Sequence, residues 1–254
     1  MNFHRADAHQ PSEGTLVSIQ VSLPREHGTP GAAKAIERPW TTGFLKEPVA
    51  GPVWVGATNV SGDGQADLRS HGGPDRAVLA YAAGHYPDWR SELYLEIPHG
   101  AFGENFTVAG LDESTVCLGD DYAVGGARVQ VSQPRVPCWK IARRWQIKDL
   151  SARVQRSGRT GWYLRVLREG AVVAGDGVVL EERPHPEWTI ARANAALYTR
   201  PVVEAEVRAL AMCPALAAGL RDVLAAYVAA QHIPGGDADA ARLVGPNADE
   251  PAAA

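Results

Sequence analysis

Three cysteines are all that the 254-residue chain contains, Cys117, Cys138 and Cys213, and none belongs to a CxxC pair. So sparse and odd a set argues against a disulfide framework and excludes a structural zinc site built from paired cysteines. It predicts a reducing, cytoplasmic setting. Long apolar runs are missing too: nothing approaches the roughly 18 consecutive apolar residues of a membrane span, so no membrane partner is expected. The opening MNFHRADAHQPSEG is polar, has no signal-peptide core, and is read as a flexible N-terminus over 1–15. The net charge of −4 gives no global pull on nucleic acid, so no nucleic-acid polymer is expected as a partner. No P-loop, GxSxG, HExxH, dinucleotide fingerprint or CxxxxCxxC iron–sulfur pattern occurs.

What is present is a hydrophobic content of 45%, enough to bury the core of one or two domains. LVSIQVSL alternates and reads as a half-buried strand with Val17, Ile19, Val21 and Leu23 on one face. VWVGATNV, RAVLAYA and FTVAG are further strand candidates, and GHYPDWRSEL a short helix. YAVGGARVQVS reads as a hairpin turned at Gly125-Gly126. GWYLRVLREGAVVAGDGVVLEE reads as two strands around a Glu169-Gly170 turn. Many short strands with glycine turns predict a mainly β chain with short helices, closed or nearly closed into a barrel.

After EERPHPEW the composition shifts, and three helices are predicted, in TIARANAALY, PVVEAEVRALA and PALAAGLRDVLAAYVAAQ, with Pro201 and Pro214 at first-turn positions. The stretch from 233 to 254 lacks a sustained apolar pattern and is expected to be a disordered tail.

Cys138 is the first chemical candidate. It follows Pro137 and precedes WKIARRW, a short predicted helix, where a thiolate would gain from the helix dipole and from nearby cations. Lys140, Arg143 and Arg144 would share one positive face of that helix, and Ile141 with Trp145 its apolar face. A small core residue is the alternative for Cys138, and core packing is the expected role of Cys117 and Cys213. From Arg135 to Arg159 eight Lys and Arg residues face one acid, Asp149. That run is either a solvated face or a surface for an anionic ligand or acidic partner. In DLRSHGGPDRA, the Gly72-Gly73-Pro74 turn could cradle an anion among Arg69, His71 and Arg76. In GAFGENF, Glu104 and Asn105 offer an acid and an amide; a plain hairpin loop is the alternative. No histidine lies near Cys138 in sequence, so a Cys–His nucleophile would require His71 to reach it in space.

GDGQADLRSHGGPDRAVLAY, GAFGENFT, VCLGDDYAVGGARVQVSQPRVPCWKIARRW and ERPHPEWTIARANAALY together resemble the YiiM-type branch of the MOSC-domain proteins, from about Leu16 to about Gln231. The resemblance implies a MOSC β-barrel over 16–184 and a small three-helix domain over 185–232. It implies that Cys138 ligates the metal of a molybdenum–pyranopterin cofactor, with Arg69, His71, Gly72, Gly73, Arg76, Asn105, Arg135 and Lys140 lining its pocket. The implied reaction is reduction of small N-hydroxylated compounds such as hydroxylaminopurine-type bases, with His71 or Glu104 relaying protons. Electrons would come from an external flavoprotein or ferredoxin, docked on the 135–159 basic run. A cofactor carrier, or a sulfur-transfer protein using Cys138, is the alternative, and a homodimer is compatible with the resemblance.

Overall fold

The structure, a computed structural model, describes residues 13–69, 71–229 and 237–249. In chain order the strands are β1 (Glu13–Val21), β2 (Arg25–His27), β3 (Trp40–Thr42), β4 (Glu47–Pro48), β5 (Val53–Gly56), β6 (Asn59–Val60), β7 (Val78–Ala82), β8 (Phe106–Ala109), β9 (Asp121–Val124), β10 (Ala127–Pro134), β11 (Trp162–Arg168), β12 (Gly170–Val172) and β13 (Gly177–Glu182). The helices are α1 (His85–Leu93), α2 (Lys140–Trp145), α3 (Leu150–Ser157), α4 (Ile190–Tyr198), α5 (Glu204–Ala211), α6 (Ala218–Ala229) and α7 (Asp237–Val244).

Seven strands close into a barrel in the order β13-β9-β10-β11-β7-β8-β1, sealed by β1 pairing with β13. All neighbours are antiparallel except β7 and β8. Closure removes the exposed edges that an open sheet of short strands would leave. The β9–β10 hairpin turns where expected, with Gly125 at φ 51.

Several local expectations are corrected. In β1 the pairing with β8 shifts between Leu16 and Ser18, and this bulge changes the phase of the alternation. Leu16 and Ile19 are buried while Val17 and Leu23 are exposed. Glu13 to Thr15, expected to be flexible, pair with β13; residues 1–12 lie outside the described residues. Glu169-Gly170 is not a hairpin turn: β11 pairs with β10 and β7, whereas β12 leaves the barrel to pair with β5. Gly170 passes so close to the other hairpin that a Cβ there would stand 2.3 Å from Gly126, which fixes the crossing.

The three helices α4–α6 follow the barrel, and α4 is capped by Thr189, whose Oγ1 accepts from Arg192 N at 3.1 Å. Pro201 and Pro214 fall in the connections before α5 and α6 rather than in their first turns. Val207, Leu210, Leu216 and Leu224 join barrel residues such as Val129, Val131 and Leu164 in one continuous apolar core, so these helices have no core of their own. A second cluster, Tyr81, Tyr86, Trp89, Phe102, Ile141, Leu150 and Val154, packs α1, α2 and α3 together and carries the segment that precedes α2. Full burial of each such side chain contributes about 1.5–3 kcal/mol, which makes this a firm platform.

The C-terminal expectation also needs correcting. Residues 237–249 form α7 and a short turn packed against residues 137–139; residues 233–236 and 250–254, also expected to be disordered, lie outside the described residues. Among the described residues no helix is long and apolar enough to cross a membrane.

A cationic pocket around Cys138

Strand β10 ends at Pro134, and the next residues turn inward before α2 begins. Arg135 is fixed by its own N–H, which donates to Gly161 O at 3.0 Å. Cys138 O accepts from Ser151 Oγ at 2.8 Å, and Ile141, fully buried, anchors the start of α2. Helix α2 has six residues and starts two positions after Cys138, too short and too late for a helix dipole to dominate. The neighbours of the sulfur are side chains instead.

His71 Nε2 lies 3.8 Å from Cys138 Sγ, and Lys140 Nζ lies 3.4 Å from His71 Nδ1. The histidine that sequence could not place is therefore beside the thiol. Burial, and then the Lys140 charge, push His71 down to about 4, so the imidazole is neutral at pH 7. With the Lys140 ammonium donating to Nδ1, the ring proton belongs on Nε2, directed at sulfur. Burial also lowers the Lys140 pKa, partly opposed by Cys138.

Around these three the pocket is lined by Phe44, Lys46, Asp63, Gln65, Gly72, Arg76, Asn105, Arg135 and Tyr163 among others. Lys46 and Asp63 form a buried ion pair at its floor. Asp63 also accepts from Ser22 N at 2.9 Å and from Asn105 Nδ2 at 2.9 Å. Asn105 in turn donates to Gln20 O and accepts from Leu79 N, so it ties the floor to the barrel. Beyond the Lys46–Asp63 pair, Arg76, Arg135 and Lys140 leave the pocket strongly positive. Arg135 is 2% exposed; its Nη2 donates to Phe102 O at 3.1 Å, whereas its buried Nη1 has no partner among the described residues. A buried guanidinium with an unmatched donor is costly unless an anion completes it.

The other expected site residues divide. Gly72, with φ 77, lines the pocket, whereas Gly73 does not and Arg69 is exposed. Glu104 is fully buried outside the pocket lining. Its carboxylate accepts from Gly100 N (2.5 Å), Phe102 N (3.1 Å), Thr107 Oγ1 (3.1 Å) and Tyr86 OH. It holds the turn whose Phe102 carbonyl receives Arg135, and its acceptor capacity is spent there rather than on a substrate proton. Lys46, Asp63 and Tyr163 were not singled out from the sequence. Asp63 and Gln65 lie within GDGQADLRSHGG, but nothing in that string marks them as a floor; Lys46 carried no signal at all.

The run from Arg135 to Arg159 is not a continuous basic surface. Arg143 is 4% exposed, stacks on Trp40 and Trp139, and donates to Ala35 O and Pro246 O. Arg144 reaches Phe44 O and Gly100 O. Lys148 pairs with Asp249, Arg153 with Asp149, and Arg159 with Glu92 while lying 3.8 Å over the Trp89 ring. Lys140, Arg143 and Arg144 thus point to three different places, not to one positive face.

A second, outer groove meets the pocket at Cys138 and shares His71, Arg76, Val136, Lys140 and Tyr163 with it. Its far wall comes from Leu220 and Val223 of α6 and from Ala241 and Arg242 of α7. Among the described residues no group of three or more His, Cys, Asp or Glu could chelate a bare metal ion. The soft donor is one cysteine sulfur among cationic side chains.

The sequence matches the MOSC domain over residues 67–179 and the YiiM-like, 3-alpha helix domain over residues 188–231. It is 46% identical over 157 residues to protein YflK of Bacillus subtilis, which covers 62% of this chain and 71% of that protein. It is 35% identical over 203 residues to a Gibberella moniliformis protein named Reductase; that match covers 78% of this chain and 35% of the other, so the chain spans about a third of that relative. The crystal structure of YiiM from Geobacillus stearothermophilus superposes with a TM-score of 0.70 at 37% identity, covering 85% of this chain and 99% of that one. The chain belongs to the MOSC-domain family, in the branch whose barrel is followed by the YiiM-like 3-alpha helix domain.

Proposed function

We propose that the chain binds a molybdenum–pyranopterin cofactor through Cys138 and reduces small N-hydroxylated compounds. The observation that carries the reading is the meeting of one cysteine sulfur with Arg76, Arg135 and Lys140 in one pocket, where the buried Nη1 of Arg135 has no partner among the described residues and could donate to an anion. Such a donor set fits a metal that arrives with its own oxo and dithiolene ligands and needs one soft sulfur from the protein. When bound, the cofactor supplies the two-electron chemistry. The net reaction is R–NH–OH + 2 e⁻ + 2 H⁺ → R–NH2 + H2O, and the chain's own residues govern the protons and the charge. Arg135 and Arg76 would hold the pterin phosphate and offset its charge. The Lys140–His71 pair would position a proton beside the sulfur, with Lys140 as the source and neutral His71 as the conduit.

Electrons need an outside donor, a flavoprotein or ferredoxin by chemistry, because the sequence has neither a dinucleotide fingerprint nor an iron–sulfur pattern. The longer relative named Reductase, two thirds of which lies outside the match, is consistent with that division of labour. The test is to express the chain in cells able and unable to make the cofactor and to measure bound molybdenum and pterin. The expected result is stoichiometric metal in the first case only, lost in Cys138→Ser. Turnover of an N-hydroxylated base with an artificial reductant then separates a reductase from a carrier; a chain without metal in competent cells ends the proposal.

A further inference from the structure

Residues 237–249 lie beyond both matched family regions, yet they hold the backbone around Cys138. Trp139 N–H donates to Arg242 O at 2.9 Å, Asn247 Nδ2 donates to Trp139 O at 3.0 Å, and Arg242 Nη1 donates to Pro137 O. Arg242 is itself braced, its Nη2 donating to Gln155 Oε1 at 2.6 Å and Asp239 Oδ1 at 2.7 Å. Gly245 sits against the Trp139 indole at φ 49, where a Cβ would stand 2.4 Å from Trp139 Cδ1, so only glycine permits this approach. Asp249 finishes the strap by accepting from Ala35 N (2.8 Å) and Lys148 Nζ (2.7 Å). Cys138 O and Trp139 O also accept locally, from Ser151 Oγ and Ile141 N and from Arg143 N respectively, whereas the contacts from Arg242 and Asn247 come from about a hundred residues further along the chain. Ala241 and Arg242 meanwhile form part of the outer groove that ends at the thiol.

We propose that the 237–249 segment is a working part of the Cys138 site, with Arg242 and Asn247 as positioning residues and Ala241 as a wall that selects by size what reaches the sulfur. The groups it ties down are backbone atoms on either side of the reactive residue, so loosening them changes the placement and exposure of one sulfur without touching its chemistry. The wall acts separately: Ala241 is exposed on α7, and a larger side chain there would narrow the groove without breaking any of the bonds above. The inference rests on the fold and not on the cofactor reading, and it is tested on cofactor-free protein.

The measurement is the iodoacetamide reaction rate of each cysteine in the full-length, cofactor-free chain, followed by mass spectrometry. Cys117 and Cys213 are buried, and burial raises both thiol pKa values, that of Cys117 to about 11, so they report on global unfolding. Arg242→Ala should speed modification of Cys138 on the order of tenfold and Asn247→Ala severalfold, as expected when bonds holding a local segment are lost. Both buried cysteines should stay unreactive, and Arg242→Lys should restore part of the protection. Ala241→Trp should slow a bulky dye maleimide at Cys138 at least about fivefold while leaving iodoacetamide within about twofold. An unchanged Cys138 rate in Arg242→Ala, or a parallel rise at all three cysteines, overturns the positioning role. Equal effects of Ala241→Trp on small and bulky reagents overturn the wall. Loss of molybdenum binding would leave these outcomes intact, and the converse also holds.

Discussion

Replacing Arg135 with methionine should separate what this residue does for folding from what it does for binding. In the cofactor-free protein the guanidinium has a charge-assisted bond to Phe102 O, worth about 1.5–3 kcal/mol. Against that stands a buried charge with an unmatched Nη1, whose desolvation costs several kcal/mol. Methionine keeps most of the length and removes both terms, so stability should move by no more than about 2 kcal/mol in either direction. An anion in the pocket reverses the balance. For a site of millimolar affinity, about 50 mM inorganic phosphate stabilises the folded state by about 2.3 kcal/mol, or about 5–9 °C in Tm for a chain of this size. Losing a charge-assisted pair worth about 2–3 kcal/mol should weaken phosphate roughly 30- to 150-fold and remove most of that shift. The assay is thermal unfolding of wild type and Arg135→Met with and without phosphate; nonspecific salt stabilisation cancels because both proteins experience it. A variant destabilised by more than about 4 kcal/mol that keeps the full phosphate shift would mean that Arg135 is a structural cation with no role in anion binding.

Two further outcomes follow from the same geometry. The His71 pKa is held near 4 in the fold and is about 6.5 in the unfolded chain, so the unfolded state takes up the extra proton between those values. Its contribution to the stability of the cofactor-free protein is therefore present above pH 6.5 and lost as pH falls towards 4, up to about 3 kcal/mol, and His71→Gln should flatten that part of a urea-midpoint profile. Glu104→Gln should cost about 2–4 kcal/mol in urea unfolding, because an amide turns an NH2 group towards donors that the carboxylate now accepts. If Glu104 only braces the turn, the variant's pH–rate profile for N–OH reduction keeps the wild-type shape; a displaced limb would restore Glu104 to the proton path.

The barrel was legible because its signals are local: alternation over four to eight residues, glycine pairs at turns and a composition change at the helices. The β1 face was misread because a bulge between Leu16 and Ser18 is a property of the pairing with β8, not of the strand's own residues. The Glu169-Gly170 error has a similar source, since Gly170 is small to let it pass Gly126 on another hairpin and not to turn the chain. Cys138 was a candidate from its surroundings, with core packing as the alternative, and its role as a ligand came from the resemblance; the structure places Arg76, Arg135 and Lys140 in the pocket that it lines. The Lys46–Asp63 floor was not a candidate, because its partners come together only after the barrel closes. The 237–249 segment looked structureless for a related reason: what it packs on is the Trp139 ring and backbone carbonyls, so it needs no apolar period of its own.

The eight cations between Arg135 and Arg159 show why a charge run cannot be assigned a role by counting. Arg143 and Arg144 donate to carbonyls in loops distant in sequence, and their charge serves as a multiple hydrogen-bond donor that joins segments lacking regular structure. Lys148, Arg153 and Arg159 form exposed or half-exposed pairs, each worth little for stability. Arg135 and Lys140 belong to neither group: both are buried, both line the pocket, and neither forms an ion pair with a carboxylate among the described residues. Folding alone would not favour two such cations 8% or less exposed, because among the described residues no carboxylate pairs with either of them to offset the lost solvation. A ligand that brought negative charge would make the arrangement favourable, and that is the physical argument for the proposed anion binding at this pocket.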